Sequence, residues 1–86
     1  MSITIYTTPT CPYCTAAKIL LRNKQAGFTE VDVSTRPELR EEMMSRSGRR
    51  TVPQIFMGAT HVGGYDDLVA LDEAGELDAL LQEHRT

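Results

Sequence analysis

A chain of 86 residues with 12 acidic and 9 basic side chains carries a net charge of −3, which excludes nucleic acid or an anionic membrane surface as its main partner. That length allows one domain, residues 1–86, near the size at which a single core is marginal. Apolar residues make up 41% of it, with no tryptophan and two cysteines, a soluble globular composition with no second domain available to carry a cofactor.

In chain order, Met1-Ser2-Ile3-Thr4 has neither a basic leader region nor a long apolar run, and no later segment approaches the roughly 20 apolar residues of a membrane span. The expected location is therefore cytoplasmic. Ile3 to Thr7 is rich in β-branched residues and reads as a strand buried on both faces, ending at Thr8-Pro9. From about Cys11 to Ala26, Tyr13, Ala17, Leu20 and Leu21 recur at helical spacing, with Lys18, Arg22 and Lys24 on the exposed side and Gly27 as the stop. Phe28 to Val33 alternates apolar and polar residues as a second strand. A strand-helix-strand unit this short predicts a parallel pair joined by a right-handed crossover.

Thr35, with Glu38 three residues on, reads as a capping box opening a second helix, which carries Leu39 and Met43 on one face and ends near Ser47-Gly48. Gln54 to Met57, a turn at Gly58-Ala59, and Thr60-His61-Val62 predict an antiparallel hairpin closed by Gly63-Gly64. Asp66-Asp67 then favour a helix N-terminus, with Leu68 and Leu71 inward. After Gly75, Leu77, Leu80 and Leu81 give a short final helix ending at His84-Arg85. The element order is β-α-β-α-β-β-α plus that C-terminal helix, an α/β fold with a four-stranded mixed sheet flanked by helices. This is the order of the thioredoxin fold.

The chemistry is concentrated in Thr10-Cys11-Pro12-Tyr13-Cys14. Where a Cys-x-x-Cys opens a helix, the first sulfur meets backbone N–H groups without intrahelical partners at the positive end of the macrodipole, which favours a thiolate. The second thiol lies one turn deeper. Disulfide exchange needs this combination, an accessible nucleophile (Cys11) and a neighbouring resolving thiol (Cys14). In a reducing compartment the spacing points to a redox pair rather than a structural staple, and no metal site is expected, since His61 and His84 stand in no ligand pattern. His61 reads as a surface residue of its strand and His84 as a partner of its helix dipole.

Three segments together, Tyr6 to Cys14 with Cys-Pro-Tyr-Cys, Thr51-Val52-Pro53-Gln54-Ile55-Phe56, and Gly63-Gly64-Tyr65-Asp66-Asp67-Leu68, give the chain a resemblance to the dithiol glutaredoxins of the small bacterial type. The resemblance covers essentially the whole sequence. It implies a sheet order of 2-1-3-4, a cis peptide before Pro53 and a glutathione groove beside Cys11. By the same resemblance Cys11 is the nucleophile and Cys14 the resolving cysteine, with Tyr13 in the groove wall. Thr51, Val52 and Pro53 then form the edge on which the Val52 backbone pairs with glutathione, and Gly64, Tyr65 and Asp66 hold its γ-glutamyl end. Many family members have a lysine where this chain has Thr8; the family pattern points to Arg49, ahead of Arg50, as the replacement cation. The implied activity is glutathione-dependent reduction of protein disulfides and glutathione mixed disulfides. Its implied partners are glutathione as co-substrate, with no tightly bound cofactor, and disulfide-containing or glutathionylated proteins, acting on a monomer.

Overall fold

A computed structural model describes residues 3–84, His84 through its backbone alone; Arg85 and the His84 side chain, expected at the end of the last helix, and Met1-Ser2 at the N-terminus lie outside what is described. The chain runs β1 (Ile3–Thr7), α1 (Pro12–Asn23), β2 (Thr29–Asp32), α2 (Pro37–Ser47), β3 (Gln54–Met57), β4 (Thr60–Gly63), α3 (Tyr65–Glu73) and α4 (Leu77–His84). The sheet order is β2-β1-β3-β4. β1 pairs parallel with β2 in the register Ile5 to Glu30, and antiparallel with β3 in the register Ile5 to Ile55. β3 and β4 form the antiparallel hairpin, with an irregularity between Ile55 and Phe56.

The period of two along β1 sorts the core into two layers. Ile3 and Ile5 face one side, where they are buried with Ala17 and Leu21 of α1, Ile55 and Met57 of β3, Leu68 of α3, and Leu77 and Leu81 of α4. Tyr6 faces the other, with Val33, Phe56 and Met43 of α2. This second layer is thinner, and α2 is anchored there partly by polar contacts: the Tyr6 hydroxyl donates to Glu42 Oε2 at 2.6 Å and accepts from Arg46 at 2.7 Å. The Arg46 guanidinium also lies 4.1 Å from the Phe56 ring centroid. Lysines stitch α1 to its surroundings, Lys18 to Glu30 at 2.9 Å and Lys24 to Asp72 at 2.9 Å and Asp78 at 3.0 Å.

Several local expectations are corrected. Gly27 does not stop α1. Gln25 takes the left-handed turn (φ 58°), its N–H bonding to the Arg22 carbonyl and that of Ala26 to the Leu21 carbonyl, the paired bonds of a Schellman closure with Ala26 buried against the helix end. Thr35 and Glu38 form no capping box. Pro37 occupies the first helical position and forces the preceding residue into extended backbone, so Arg36 is the N-cap, without a side-chain bond; the Thr35 hydroxyl instead donates to the Asp32 carbonyl at 3.0 Å. Tyr13 does not share the inward face of Ala17 and Leu21: it is 61% exposed, with its ring 6.0 Å from that of Tyr65. His61 is half-buried rather than on the surface, its ring stacked on Phe56 at 4.8 Å.

Because Ile5 is fully buried at the centre of the sheet, Ile5→Ala is expected to cost about 2–5 kcal/mol. Tyr6→Phe, which keeps the ring and removes the hydroxyl between Glu42 and Arg46, should cost about 1–2 kcal/mol. Urea unfolding midpoints at unchanged m-value measure both, and equal losses would contradict this ranking.

Candidate active site

Buried and paired on both sides, β1 releases the chain at Thr8 and Pro9, and the next turn delivers Cys11 to the start of α1. Cys11 is the N-cap, in extended backbone, with Pro12 at the first helical position. Its Sγ accepts the Cys14 N–H at 3.1 Å, satisfying one of the helix's unpaired donors. Across the gap, the Cys11 thiol donates to the Val52 carbonyl at 3.7 Å, which joins α1 to the loop before β3. Cys11 is partly exposed; Cys14 is 1% exposed. Burial pushes the Cys14 thiol up to about 12, the hydrogen bond to Cys11 adding to the rise and a main-chain hydrogen bond from Thr8 opposing it.

Beside Cys11 lies an open cleft of about 280 Å³ built from three separated segments. Its walls are Tyr13 from α1, then Arg49, Thr51, Val52 and Pro53 from the loop between α2 and β3, and Gly64, Tyr65, Asp66 and Asp67 from the start of α3. Every residue expected to hold glutathione is thus on one cleft, and the Val52–Pro53 peptide is cis. The Tyr13 and Tyr65 rings flank it at 6.0 Å. Arg49 is the basic residue among the described cleft walls, and it is not independent: its Nη1 meets Asp67 Oδ2 at 2.9 Å. Arg50 stands outside the walls, its carbonyl accepting from Arg40 at 3.2 Å.

Asp67 also lines the cleft, next to Asp66. The same Oδ2 accepts the Gly64 N–H at 2.9 Å, so one carboxylate caps α3 and holds Arg49. Arg49 first, and then the Gly64 N–H, keep the Asp67 carboxyl below the ordinary carboxylate range. With the folded value depressed, this contribution to stability is present above the ordinary carboxylate pKa and is lost as pH falls through the lowered one. The signal was the second acid of Asp66-Asp67, three residues after a glycine N-cap, where a carboxylate reaches back to the main chain. Gly63 is required by the same arrangement: its φ is +116°, and a Cβ there would run into the Asp67 carboxylate.

A family model described as Glutaredoxin matches residues 3–62. The chain belongs to the glutaredoxin family. A glutaredoxin of Pseudomonas aeruginosa is 56% identical over 79 residues, covering 92% of this chain and 94% of its own. Among solved structures, the solution structure of glutaredoxin from Brucella melitensis is 56% identical with a TM-score of 0.87, covering 100% of this chain and 94% of that one. The crystal structure of a buckwheat glutaredoxin–glutathione complex is 25% identical with a TM-score of 0.88, covering 94% of this chain and 76% of that one. The sheet order, strand directions and flanking helices are those of the thioredoxin fold shared by these structures. Glutaredoxins are glutathione-dependent thiol-disulfide oxidoreductases, and the Cys11–Cys14 pair equips this chain for that chemistry.

Two predictions follow from the geometry. With Cys14 pushed up to about 12 and buried, the reduced protein should form no more than one thiolate between pH 4 and 9 by absorbance at 240 nm, and iodoacetamide at pH 7 should alkylate Cys11 alone; a second thiolate in that range would contradict the assignment. Gly63→Ala should destabilise by roughly 1–3 kcal/mol, read by urea unfolding.

Proposed function

We propose that Cys11 attacks the disulfide of glutathionylated and disulfide-containing proteins, that Cys14 resolves the protein mixed disulfides, and that the cleft beside them binds glutathione. One observation carries this reading: the partly exposed Cys11 sulfur caps α1 at the edge of the cleft, while Cys14 waits one turn deeper, buried and protonated.

With a glutathione mixed disulfide, the Cys11 thiolate bonds to the glutathionyl sulfur and the substrate leaves as a thiolate that takes a proton. A second glutathione attacks the glutathionyl sulfur, forms oxidised glutathione and frees Cys11. Cys14 is not needed. With a protein disulfide, Cys11 forms a mixed disulfide with one substrate sulfur, and Cys14 then attacks the Cys11 sulfur. The Cys14 proton passes to the departing protein thiolate, and two glutathiones reduce the Cys11–Cys14 bond. Holding Cys14 as a thiol keeps it from competing with Cys11 for substrate.

Glutathione binding in this cleft is supported by the likeness to the buckwheat complex and by the chemistry of the walls. The main chain of Val52 beside Cys11 offers strand-like pairing to the cysteinyl residue. Gly64, Tyr65 and Asp66 stand at the start of α3, where the N–H groups of the first turn beyond Gly64 suit a carboxylate and the Asp66 side chain suits an ammonium. Tyr13 closes one wall, and Thr51 and Pro53 complete the Val52 edge. Arg49 has four more N–H donors besides the one directed at Asp67, and it offers them to a carboxylate of the tripeptide from the α3 end of the cleft. The chain thereby has a role in electron transfer from glutathione and in protein deglutathionylation, as a cytoplasmic monomer that uses reduced glutathione. Among the described residues no helix is long and apolar enough to cross a membrane.

Reduction of a small glutathione mixed disulfide, coupled to glutathione reductase and NADPH, tests the reading. Turnover should saturate with glutathione and persist in Cys14→Ser, whereas reduction of a protein disulfide should be lost in that variant and both activities in Cys11→Ser. Retained activity in Cys11→Ser would overturn the nucleophile assignment. Turnover supported by a thioredoxin-type reductase in place of glutathione would overturn the electron donor.

A further inference from the structure

Behind the cleft runs a hydrogen-bonded chain that the site description leaves unexplained. Gln54, the first residue of β3, is fully buried at 0% exposure. Its Nε2 donates to the Thr51 carbonyl at 3.0 Å and lies 3.1 Å from the Thr51 hydroxyl. Its Oε1 lies 2.7 Å from His61 Nε2. The donations to Thr51 fix which way the amide points, since an amide donates only through nitrogen and accepts only through oxygen. Oε1 must therefore accept from His61, and the histidine proton sits on Nε2.

The imidazole is held from outside the cleft. It stacks on Phe56 at 4.8 Å, and the same ring carries the Arg46 guanidinium at 4.1 Å. Burial first, and the nearby Arg49 charge second, lower the His61 pKa below its ordinary value. A neutral imidazole with its proton on Nε2 still donates, so the contact with Gln54 needs no charge. A connected path then runs from Phe56 in the core through His61 and Gln54 to Thr51, an exposed loop residue next to Val52.

We propose that Gln54 and His61 are positioning residues for glutathione: by holding the Thr51 carbonyl and hydroxyl, they fix the Thr51–Val52 edge of the cleft in the conformation that pairs with the tripeptide backbone. This rests on the glutathione reading of the cleft. A loop edge without regular secondary-structure pairing visits conformers that cannot bind, and apparent affinity falls with the competent fraction. A buried amide with two directed donors restricts that freedom. Burying a glutamine where an apolar residue would pack costs stability unless all its polar atoms are met, and here the partners that meet them are the cleft edge and a histidine anchored to the core.

The test compares wild type with Gln54→Met, His61→Phe and His61→Gln. Methionine keeps the volume of Gln54 without its hydrogen bonds. Phenylalanine keeps the ring on Phe56 without the N–H, and glutamine keeps an N–H at similar reach without the ring. Two readouts are taken: steady-state kinetics against glutathione, and 15N heteronuclear NOE values of the Thr51 and Val52 amides without glutathione. Gln54→Met and His61→Phe should raise the KM for glutathione about five- to tenfold with kcat within about twofold. They should also lower the NOE at residues 51 and 52 while β1 amides are unchanged, and His61→Gln should stay within about twofold of wild type. The proposal is overturned if His61→Phe behaves as wild type in both readouts, or if His61→Gln is impaired as much as His61→Phe, since a retained N–H would then fail to hold the edge. Absence of glutathione turnover in wild type would overturn the glutathione reading instead, and the NOE comparison would still decide whether Gln54 and His61 hold the edge.

Discussion

Backbone pairing along both edges of β1, to β2 on one side and β3 on the other, together with side chains buried on both faces, leaves this strand no freedom to shift. A slip of one residue would carry Ile3 and Ile5 to the α2 face and Tyr6 to the α1 face, exchanging two core layers of different shape. The strand therefore ends at one place. Its C-terminal edge presents Thr8 to Cys11 at the start of α1, and the parallel crossover to β2 sets α1 across the sheet. The reactive sulfur is positioned by a buried strand rather than by a loop.

From that position the two thiols, three residues apart, acquire opposite properties. Cys11 caps the helix and is partly exposed, while Cys14 is enclosed by the core with its thiol pushed up to about 12. Identical side chains divide into an attacking and a waiting group because one helical turn moves the second from the helix mouth into the low-dielectric interior. Polarity around Cys11 comes from main-chain groups, the Cys14 N–H on one side and the Val52 carbonyl on the other. The His61 side chain meets Gln54 and Phe56 rather than either cysteine.

The cleft shows the same economy of charge. Arg49 and Asp67 come from different elements and share one contact, and Asp67 also caps α3, so a change at either end reaches both the loop before β3 and the start of the helix. The pair is nearly half exposed on each side, so its worth lies less in stability, where solvent screening limits it, than in fixing the direction of a guanidinium at the cleft wall. Gly63 is the backbone counterpart: a left-handed residue with no room for a side chain next to that carboxylate.

Much of this was legible in the chain itself. The β-branched run of Ile3–Thr7, the alternation of Phe28–Val33, the apolar spacing within the helices and the turn residues around Gly58 placed all eight elements, because local composition and periodicity report which faces of a segment are buried. Errors fell where local signals competed. Pro37 overrode the Thr35–Glu38 pattern through its restriction on Arg36, Gln25 in place of Gly27 closed α1 once Ala26 had a core to pack against, and Tyr13 matched a helical stripe yet stands exposed at the cleft wall beside Tyr65. The cleft residues were found through a joint motif rather than through periodicity.

By itself the sequence determined the reactive pair and the order of strands and helices, since spacing in the chain controls a helix N-terminus and an amphipathic face directly. Tertiary structure alone decided that Arg49 pairs with Asp67, and that His61 lies half-buried against Phe56 with its Nε2 on Gln54. Those outcomes depend on distances between residues 5 to 18 positions apart in sequence. No local pattern encodes such distances, because they exist only after the sheet has brought the loop before β3, the β3–β4 hairpin and the start of α3 together.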